Sequence, residues 1–485
     1  MAIGIDNIDR AINYLSQHIS ELPKRVERNI RSPTQTLLPQ RSVMGRLRKC
    51  IDEFLLAKEQ KKWYIMPGLR GTGKTTVLYQ IYAYLHEKNQ HVLYLTCDEL
   101  QLHGFTLKEM LEIYEKSYLP TRFSSLESPL FLLVDEVHFD KEWDLTLKVL
   151  YDKASKIFII ASGSSSLAIQ TPDATRRSLR IDVIPMTLQE YIMLTQNIHA
   201  KYRTAELIRR GLFLSRSAGE AAVQLESIYK QLRDTYFSKF DVEKEITQYL
   251  RVGGFPYTLQ MRDEKEVFEN LYQTLSRVVR DDLPQVQGIS REILSYVFPV
   301  LYAIVHSGRV SYQTIAETYH GLKGKDVFNI IHGLASAGVL FSLRPMGSIA
   351  KVGKGGLTHY LVSSTLKATL LHRHGLSRHT SYIYGQLLEN AVAAHLYKNK
   401  LFTPEISEVT FDPRDGGANF VVFTQNNKIA VECGWKKESL RQVEFTLSDL
   451  RKEMRNAYGI VVTTEKSCKA IGNVLFAPKE LFFLS

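Results

Sequence analysis

Apolar stretches alternate with amphipathic segments between residues 41 and 197, and this alternation predicts strands connected by helices. One helix is predicted from Arg41 to Leu56, and another where apolar side chains recur at helical spacing from Val77 to Leu85. Strands that alternate with helices along the chain are typical of a parallel sheet with helices on both faces. Four buried strands are predicted, at residues 61–66, 91–95, 130–134 and 156–161.

The segments on either side of this α/β region have different patterns. Residues 1–40 begin with an amphipathic helix from Ile8 to Ile19 and continue with a basic segment, which we interpret as a docking arm. Residues 198–285 are helical and charged, and we expect them to form a helical lid. Two glycines and a proline at 253–256 must break a helix, and we interpret them as a structural turn. The basic residues of the predicted arm are Lys24, Arg25, Arg28 and Arg31.

Residues 286–372 change to short helices and strands. A helix is predicted from Val310, a turn at residues 320–324, a second helix ending at Gly338, and strands at 339–343 and 359–362. Two helices followed by a hairpin with a basic tip predict a winged helix.

The cations of this winged helix are few. The predicted reading helix carries Lys323, Lys325 and His332, and the predicted wing carries Lys351 and Lys354. Three cations are few for reading bases in a groove, whereas wing lysines suit phosphate contacts. Contact with DNA and a purely structural role are therefore both retained as interpretations.

Residues 373–485 predict a separate α/β module. A helix runs through residues 385–394, and the segments at 416–423 and 428–436 predict a strand hairpin, with another helix after it. The expected organisation is an arm at 1–40, an α/β domain at 41–197, a lid at 198–285, a winged helix at 286–372 and this module at 373–485.

Composition limits the class of protein. The chain has 485 residues, of which 44% are hydrophobic and 23% charged, so that large cores can form. No apolar run is long enough to cross a bilayer, and charged residues at positions 6, 9 and 10 interrupt a signal-peptide core. The four cysteines are scattered without a C-x-x-C pair, which argues against zinc and disulfide frameworks and favours the cytoplasm.

The net charge of +11 points to an anionic partner, for which nucleic acid is the first candidate. A solvated basic surface explains the same charge equally well. Charge therefore makes DNA a candidate partner without establishing it.

Residues 68–75, Gly-Leu-Arg-Gly-Thr-Gly-Lys-Thr, fit the pattern G-x-x-x-x-G-K-[ST] of a loop that wraps nucleotide phosphates. A predicted strand precedes this loop and a predicted helix follows it, as such a site requires. Lys74 would contact the phosphates and the Thr75 hydroxyl would bind Mg²⁺. A glycine-rich turn without function is the alternative. The predicted ATP-binding residues of the loop are Gly68, Gly71, Thr72, Gly73, Lys74, Thr75 and Thr76.

A carboxylate pair, Asp135-Glu136, ends the apolar strand at 130–134 about sixty residues beyond the phosphate loop. A pair in this position is typical of a Walker B element. Asp135 would hold Mg²⁺, and Glu136 would orient and polarise the attacking water. A simple turn at the strand end is the alternative.

Two further kinds of polar residue follow the fourth predicted strand. Ser162 or Ser164 would sense the γ-phosphate, although a plain serine and glycine loop explains them as well. An arginine near a subunit edge would neutralise charge that develops in phosphoryl transfer, acting on a neighbouring subunit. The candidates are Arg176, Arg177 and Arg180, and composition does not choose among them.

In the order of these motifs the chain resembles a prokaryotic family of AAA-type ATPases that carry a C-terminal domain of unknown function. The resemblance rests on residues 68–75, 133–138, 162–165, 180–191 and 253–256, followed by the winged helix. It implies ATP binding, a helical lid over the nucleotide, and Arg180 as the arginine at the family's Gly-Arg position. Leu179 stands where that glycine is expected.

The last module of that family is similar to PD-(D/E)xK nucleases, in which three acidic groups and a lysine bind Mg²⁺ and activate water. Glu389 matches the helix acid and Glu432 one of the strand acids. Asn419 stands where the strand aspartate is expected and Gly434 where the lysine is expected. An amide is a weak, neutral metal ligand, and Lys436 or Lys437 does not have the spacing to replace the lysine. We therefore expect a nuclease-like fold without nuclease activity.

The leading functional hypothesis is a Mg²⁺-dependent ATPase that drives a conformational switch, in which Glu136, Lys74 and Arg180 are catalytic. No N-K-x-D motif for guanine follows the loop, which favours ATP over GTP. A nucleotide-gated DNA-binding or protein-interaction module with little turnover is the second hypothesis, and a Mg²⁺-dependent nuclease the third. Expected partners are DNA, another protein or further copies of the chain, and no membrane.

Overall fold

The computed structural model of the protein describes residues 5–32, 35–57, 61–164, 176–201, 203–286, 288–307, 311–319, 321–347, 356–376, 380–434 and 437–485. The chain divides into two compact units, Met1–Ile184 and Pro185–Ser485. Each unit combines helices with β-sheet, and the predicted α/β fold class is confirmed.

The first unit alternates strands with helices, as the hydrophobic pattern predicts. Its strands are β1 (Trp63–Pro67), β2 (His91–Thr96), β3 (Leu130–Asp135), β4 (Ile157–Gly163) and β5 (Leu179–Arg180). Its helices are α1 (Ile5–Asn29), α2 (Ser42–Leu55), α3 (Lys74–Glu87), α4 (Cys97–His103), α5 (Leu107–Tyr118) and α6 (Trp143–Lys153).

The five strands form one sheet in the order β2-β3-β4-β1-β5, and every neighbouring pair is parallel. Pro67 of β1 is opposite Gly163 of β4, and Thr96 of β2 is opposite Asp135 of β3. Because parallel strands end at the same edge of a sheet, the carboxyl ends of β1, β3 and β4 lie side by side. The predicted parallel sheet is confirmed.

Apolar layers cover both faces of this sheet, because successive side chains of a strand point to opposite faces. One core contains Trp63 and Leu132 together with side chains of α5 and α6. The other contains Tyr64 and Tyr94 together with side chains of α2 and α3. Most strand residues are buried, so the sheet is the centre of the first unit.

The N-terminal segment differs from the predicted docking arm. Helix α1 runs without interruption through the basic residues to its end at Asn29. It buries Ala11 and Leu15 in one core and Leu22 and Val26 in the other. The apolar positions therefore continue beyond the segment predicted as helix, and α1 is part of the packed unit because its apolar face covers the sheet.

The second unit begins with helices, in agreement with the helical pattern at 198–285. These helices are α7 (Leu188–Gln196), α8 (Thr204–Phe213), α9 (Ala218–Thr235), α10 (Val242–Val252), α11 (Glu264–Arg277) and α12 (Val297–Ser307). The chain then forms α13 (Tyr312–Thr318), α14 (Gly324–Ser336), β6 (Leu340–Leu343), β7 (Thr358–Leu361), α15 (Ser364–Arg373) and α16 (Ser381–Phe402).

Helices α13 and α14 and the antiparallel pair β6–β7 follow one another in the order predicted for a winged helix. The first of them begins at Tyr312, two residues later than predicted. Lys351 and Lys354, the lysines of the predicted wing, lie outside the described residues. The winged-helix interpretation of these elements stays a prediction.

The last part of the second unit contains β8 (Ile406–Thr410), β9 (Phe420–Thr424), β10 (Lys428–Cys433), α17 (Lys437–Glu453), β11 (Tyr458–Thr463), β12 (Lys469–Ile471), β13 (Val474–Pro478) and α18 (Lys479–Phe482). The strands form a six-stranded mixed sheet in the order β12-β13-β11-β10-β9-β8. The predicted strand at 416–423 is shorter than expected and begins at Phe420, because the preceding glycines lie in a turn.

The described residues include all four cysteines and the helices whose length and apolar character bear on membrane crossing. Cys50, Cys97, Cys433 and Cys468, which are all of the cysteines in the sequence, are free thiols. Of the helices formed by the described residues, none has the length and apolar character that crossing a membrane requires.

The glycine turn at 253–256 packs closely against Ser363 and Thr365 of the second unit. Helix α10 ends at Val252, and the N–H of Gly254 donates a hydrogen bond of 2.9 Å to Thr365 Oγ1. A Cβ on Gly254 would lie 2.3 Å from Ser363 Oγ and 2.8 Å from Thr365 Oγ1. Both hydroxyls already cap the start of α15 or bond to the turn, so this contact agrees with the structural interpretation of the glycines.

We expect Gly254→Ala to lower the free energy of unfolding by about 1–3 kcal/mol, because the added methyl must displace Ser363 and Thr365. Urea unfolding followed by circular dichroism measures this change. Gly385→Ala in α16 is the matched control, because nothing lies within 4 Å of a Cβ there. That substitution should be neutral or stabilising by up to about 1 kcal/mol. Equal stability of the two variants would contradict the packing argument.

Candidate functional site

The candidate site lies at the carboxyl edge of the five-stranded sheet in the first unit. Three connections leave this edge side by side, residues 68–73 after β1, residues 136–138 after β3 and Ser164 after β4. The N–H of Gly68 donates to the carbonyl oxygen of Gly163 at 3.3 Å, so the first loop is joined to the end of β4. The fold thus brings together residues that are far apart in sequence.

The loop at 68–73 has the backbone that its glycines predict. Gly71 and Gly73 have φ angles of 82° and 89°, which few residues other than glycine adopt. Gly73 is the N-cap of α3, so the first free N–H groups of that helix face the loop. A Cβ on Gly68 would lie 2.4 Å from the carbonyl oxygen of Val183. A loop wound around a helix N-terminus is a site for phosphate.

Lys74 is the first residue of α3, and its side chain folds back over this loop. Its Nζ donates to the carbonyl oxygens of Gly68 at 2.9 Å and Leu69 at 3.4 Å. The ammonium is therefore inside the curve of the loop, where phosphate oxygens would replace the carbonyls as its acceptors. Thr72 is fully buried and donates to Leu69, whereas Thr75 and Thr76 are half-buried in the first turn of α3.

Arg41 supports the phosphate loop through hydrogen bonds to the backbone. The hydrophobic pattern and the motifs do not predict this role. The guanidinium is buried and donates to the carbonyl oxygen of Thr72 at 2.6 Å and of Ile184 at 2.9 Å. Charge-assisted bonds from a planar guanidinium hold two backbone segments in one geometry. No sequence signal marks this role, because Arg41 is 31 residues from Thr72 and precedes an ordinary helix.

Asp135 is 2% exposed and accepts hydrogen bonds on both carboxylate oxygens. The backbone N–H of Glu136 donates to Oδ1 at 3.0 Å, and the Ser162 hydroxyl donates to the same oxygen. The hydroxyl of Tyr94 donates to Oδ2 at 3.2 Å. A buried carboxylate needs such donors in place of water. The structure therefore brings predicted residues Asp135 and Ser162 into direct contact and adds Tyr94.

Glu136 occupies the turn that follows β3 in a left-handed conformation with φ 49° and ψ 43°. Its Oε2 lies 3.2 Å from Nδ1 of the buried His138. Burial raises the pKa of Glu136, and the Lys74 ammonium opposes this rise, which shows that the two side chains share one electrostatic environment. A left-handed backbone at a residue other than glycine is a feature that often marks functional sites.

The predicted arginines lie apart from this cluster of contacts. Arg180 is in the edge strand β5 with its side chain 44% exposed, and its Nε donates to Asp182 Oδ1 at 2.9 Å. Arg177 bonds to Asp152 of α6 at 2.8 Å. Ser164 is buried after β4. Arg180 is thus exposed on the edge strand of the sheet, and its action on a neighbouring subunit stays a prediction.

The residues expected at a nuclease site have structural partners in the second unit. Glu432 of β10 is 3% exposed, and its two oxygens accept the N–H groups of Asn419 at 2.8 Å and Cys433 at 3.2 Å. Glu389 of α16 accepts a hydrogen bond of 3.0 Å from the Tyr360 hydroxyl. A Cβ on Gly434 would lie 2.1 Å from Ser439 Oγ. Lys436 and the side chain of Lys437 lie outside what the structure describes.

The donors that could hold a metal ion at this edge of the sheet are the Thr75 hydroxyl and the Asp135 carboxylate. Across the described part of the chain, no group of three or more His, Cys, Asp or Glu side chains is arranged to hold a metal ion. A magnesium ion with a nucleotide needs fewer, because it keeps several waters and takes phosphate oxygens. The Thr75 hydroxyl and the Asp135 carboxylate are hard oxygen donors that fit this mode of binding.

Family sequence models match two parts of the chain. A family described as an AAA domain matches residues 60–192, and a domain of unknown function (DUF8612) matches residues 243–392. The first match spans the phosphate loop, Asp135, Glu136 and Ser162. This match supports a P-loop AAA domain at residues 60–192, in agreement with the parallel sheet and the phosphate loop.

The chain is 31% identical to the uncharacterized protein MJ1637 of Methanocaldococcus jannaschii over 97% of this chain and 93% of that protein, and it belongs to the same family. The uncharacterized protein MJ1544 of the same organism is 20% identical over 81% of this chain and 80% of its own. A solved structure of the Aeropyrum pernix Orc1 protein in complex with DNA covers 70% of this chain and 93% of its own. Its identity to this chain is 15%, and the TM-score is 0.28.

Burial makes Glu432 a source of pH-dependent stability. Burial raises the pKa of Glu432 to about 8 from its ordinary 4.5, and the two backbone N–H donors only partly oppose this rise. Between these pH values the folded protein retains a proton that the unfolded chain releases. This contribution to stability is therefore fully present below pH 4.5 and is lost as the pH rises to about 8.

We expect the free energy of unfolding of the wild type to fall relative to that of Glu432→Gln as the pH rises from 5.5 to 8. The slope of this difference should approach about 1.4 kcal/mol per pH unit, the value for one proton. Urea unfolding at several pH values measures it. Glu444→Gln, on the exposed face of α17, should follow the wild type. Parallel curves for the wild type and Glu432→Gln would contradict the burial of a protonated carboxyl.

Proposed function

We propose that the protein is an ATPase that hydrolyses ATP with Mg²⁺ and uses the reaction to drive a conformational switch. The observation that carries this proposal is the convergence of Lys74, Asp135 and Glu136 at one edge of a parallel sheet. Lys74 is held within the phosphate loop, Asp135 is buried among three donors, and Glu136 shares an electrostatic environment with Lys74.

The loop and α3 would bind the phosphates of ATP. The N–H groups at the start of α3 point to anions, and Gly68, Gly71 and Gly73 leave room for the backbone to approach them. Lys74 would exchange its carbonyl acceptors for phosphate oxygens. Thr75 and Asp135 would hold Mg²⁺, which supplies positive charge to the phosphates when bound. Thr72 and Thr76 complete the proposed binding loop.

Glu136 would position the attacking water and accept its proton. Burial raises the pKa of this carboxyl and the Lys74 charge opposes that rise, and a raised pKa makes the carboxylate a stronger proton acceptor. His138, 3.2 Å away, would keep the carboxylate in place. Ser162, bonded to Asp135, would respond to the γ-phosphate at the end of β4.

Arg180 is proposed to act on ATP held by another copy of the chain. Its exposure on the edge strand supports this role, since an arginine that acts between subunits must be accessible. Asp182 would first have to release the guanidinium. The proposed switch would also involve the helical segment at 198–285 as a lid and the winged-helix and nuclease-like segments as the parts that respond.

Lys74→Ala should abolish ATP binding and turnover, because the loop loses its cation. Glu136→Gln should retain ATP binding but lower the turnover number by a factor of about 10² or more, since it cannot accept a proton. Phosphate release and binding of a fluorescent ATP analogue measure the two effects. Lys108→Ala and Glu112→Gln, both exposed on α5, are controls with the same changes of charge. Full turnover in Glu136→Gln would refute its role as base.

A DNA-binding module that uses ATP as a gating ligand is the second candidate. It is favoured by the net charge of +11 and by the order α13, α14, β6, β7, which is that of a winged helix. Lys323 and Lys325 are exposed at the start of α14. Phe328 on the same helix is 49% exposed, an apolar surface that suits a protein partner as well. The retained proposal for the last module is a contact role without nuclease activity.

If α14 contacts DNA phosphates, replacing both Lys323 and Lys325 with Ala should weaken binding to duplex DNA uniformly across sequences. The negative slope of log affinity against log salt should become shallower by about 2, one for each lost phosphate contact. Fluorescence anisotropy at several salt concentrations, with and without ATP, measures both. Replacing Lys108 and Lys116 of α5 with Ala removes the same charge elsewhere. An unchanged slope in the α14 variant would exclude this surface as the DNA contact.

A further inference from the structure

Tyr94 reaches the site from a neighbouring strand that no motif marks. It lies in β2 and is 1% exposed. Because Thr96 is opposite Asp135 in the parallel register, Tyr94, two residues earlier, projects from the same face of the sheet as Asp135. Its hydroxyl donates to Asp135 Oδ2 at 3.2 Å.

The carboxylate of Asp135 is held at both ends by different elements. Ser162 of β4 and the N–H of Glu136 occupy Oδ1. Among the described residues, Tyr94 is the donor to Oδ2. A carboxylate offers about four lone-pair positions, of which these three bonds use three. One position is therefore left for a cation or a water bound to it.

Tyr94 is itself fixed in place within the first unit. The ring is parallel to that of His18 at a centroid distance of 6.1 Å and lies 5.3 Å from the ring of Tyr79. Its carbonyl oxygen lies 2.9 Å from Nε2 of His18, which must be the donor since a carbonyl only accepts.

We propose that Tyr94 is a positioning residue for the magnesium nucleotide, and that its hydroxyl sets the rotation of the Asp135 carboxylate so that the remaining lone pair faces the cation. The proposal rests on the function proposed above and deepens it. Without the hydroxyl, Oδ2 loses its donor. The carboxylate is then held at Oδ1 alone and can rotate about its Cβ–Cγ bond. Partners of metal ligands generally contribute a factor of about 10 to 100 to metal affinity.

Tyr94→Phe removes this hydroxyl and keeps the ring. The matched control is Tyr64→Phe, which makes the same change at a buried tyrosine of β1 in the same core. Binding of a fluorescent ATP analogue and phosphate release are measured as Mg²⁺ is varied at fixed nucleotide. Urea unfolding of both variants reports any loss of stability.

We expect the Mg²⁺ concentration for half-maximal binding and turnover to rise about 10- to 100-fold in Tyr94→Phe and to stay unchanged in Tyr64→Phe. Turnover of Tyr94→Phe should recover at high Mg²⁺, which a defect of folding would not do. Equal Mg²⁺ dependence of the two variants, with a wild type that binds nucleotide with Mg²⁺, would overturn the role of Tyr94 alone. A wild type that binds no nucleotide would overturn both this role and the proposed ATPase.

Discussion

The first unit depends on one electrostatic constraint, the burial of the Asp135 carboxylate at the end of a central strand. A carboxylate without water is costly unless donors surround it. Here the donors are the Tyr94 hydroxyl, the Ser162 hydroxyl and the next N–H of the backbone. They come from β2, from β4 and from the turn after β3, so the strand order β2-β3-β4 places all three donors around this carboxylate.

The parts of this arrangement that are local in sequence could be predicted. The glycines at 71 and 73 adopt the left-handed backbone that their pattern implies, and Lys74 begins the helix that the loop leads into. The strand ending at Asp135 is also recognisable, because a run of buried apolar residues leads directly to a carboxylate. In each case a few neighbouring residues determine the structure.

The residues that the sequence did not reveal act through tertiary contacts. Tyr94 and Asp135 are separated by 41 positions, and Arg41 and Thr72 by 31. Their contacts depend on strand register and on where a helix begins, neither of which a hydrophobic pattern determines. Helix α1 is a similar case, because the segment interpreted as a docking arm also carries Leu22 and Val26 at core spacing. The prediction was based on the basic charge of this segment, whereas the burial of its apolar side chains determines where α1 lies.

Two buried carboxylates of the chain, Asp135 and Glu432, are supported in different ways. Glu432 accepts two backbone N–H groups, which cannot turn away, and it is buried enough to hold a proton near neutral pH. Asp135 is supported by two hydroxyl groups from the neighbouring strands β2 and β4 and by one backbone N–H. These bonds leave one lone-pair position of the carboxylate for a cation, beside Lys74 and the N-terminus of α3. Glu432 is thus held by backbone groups of its own sheet, whereas the donors to Asp135 lie beside the loop proposed to bind phosphate.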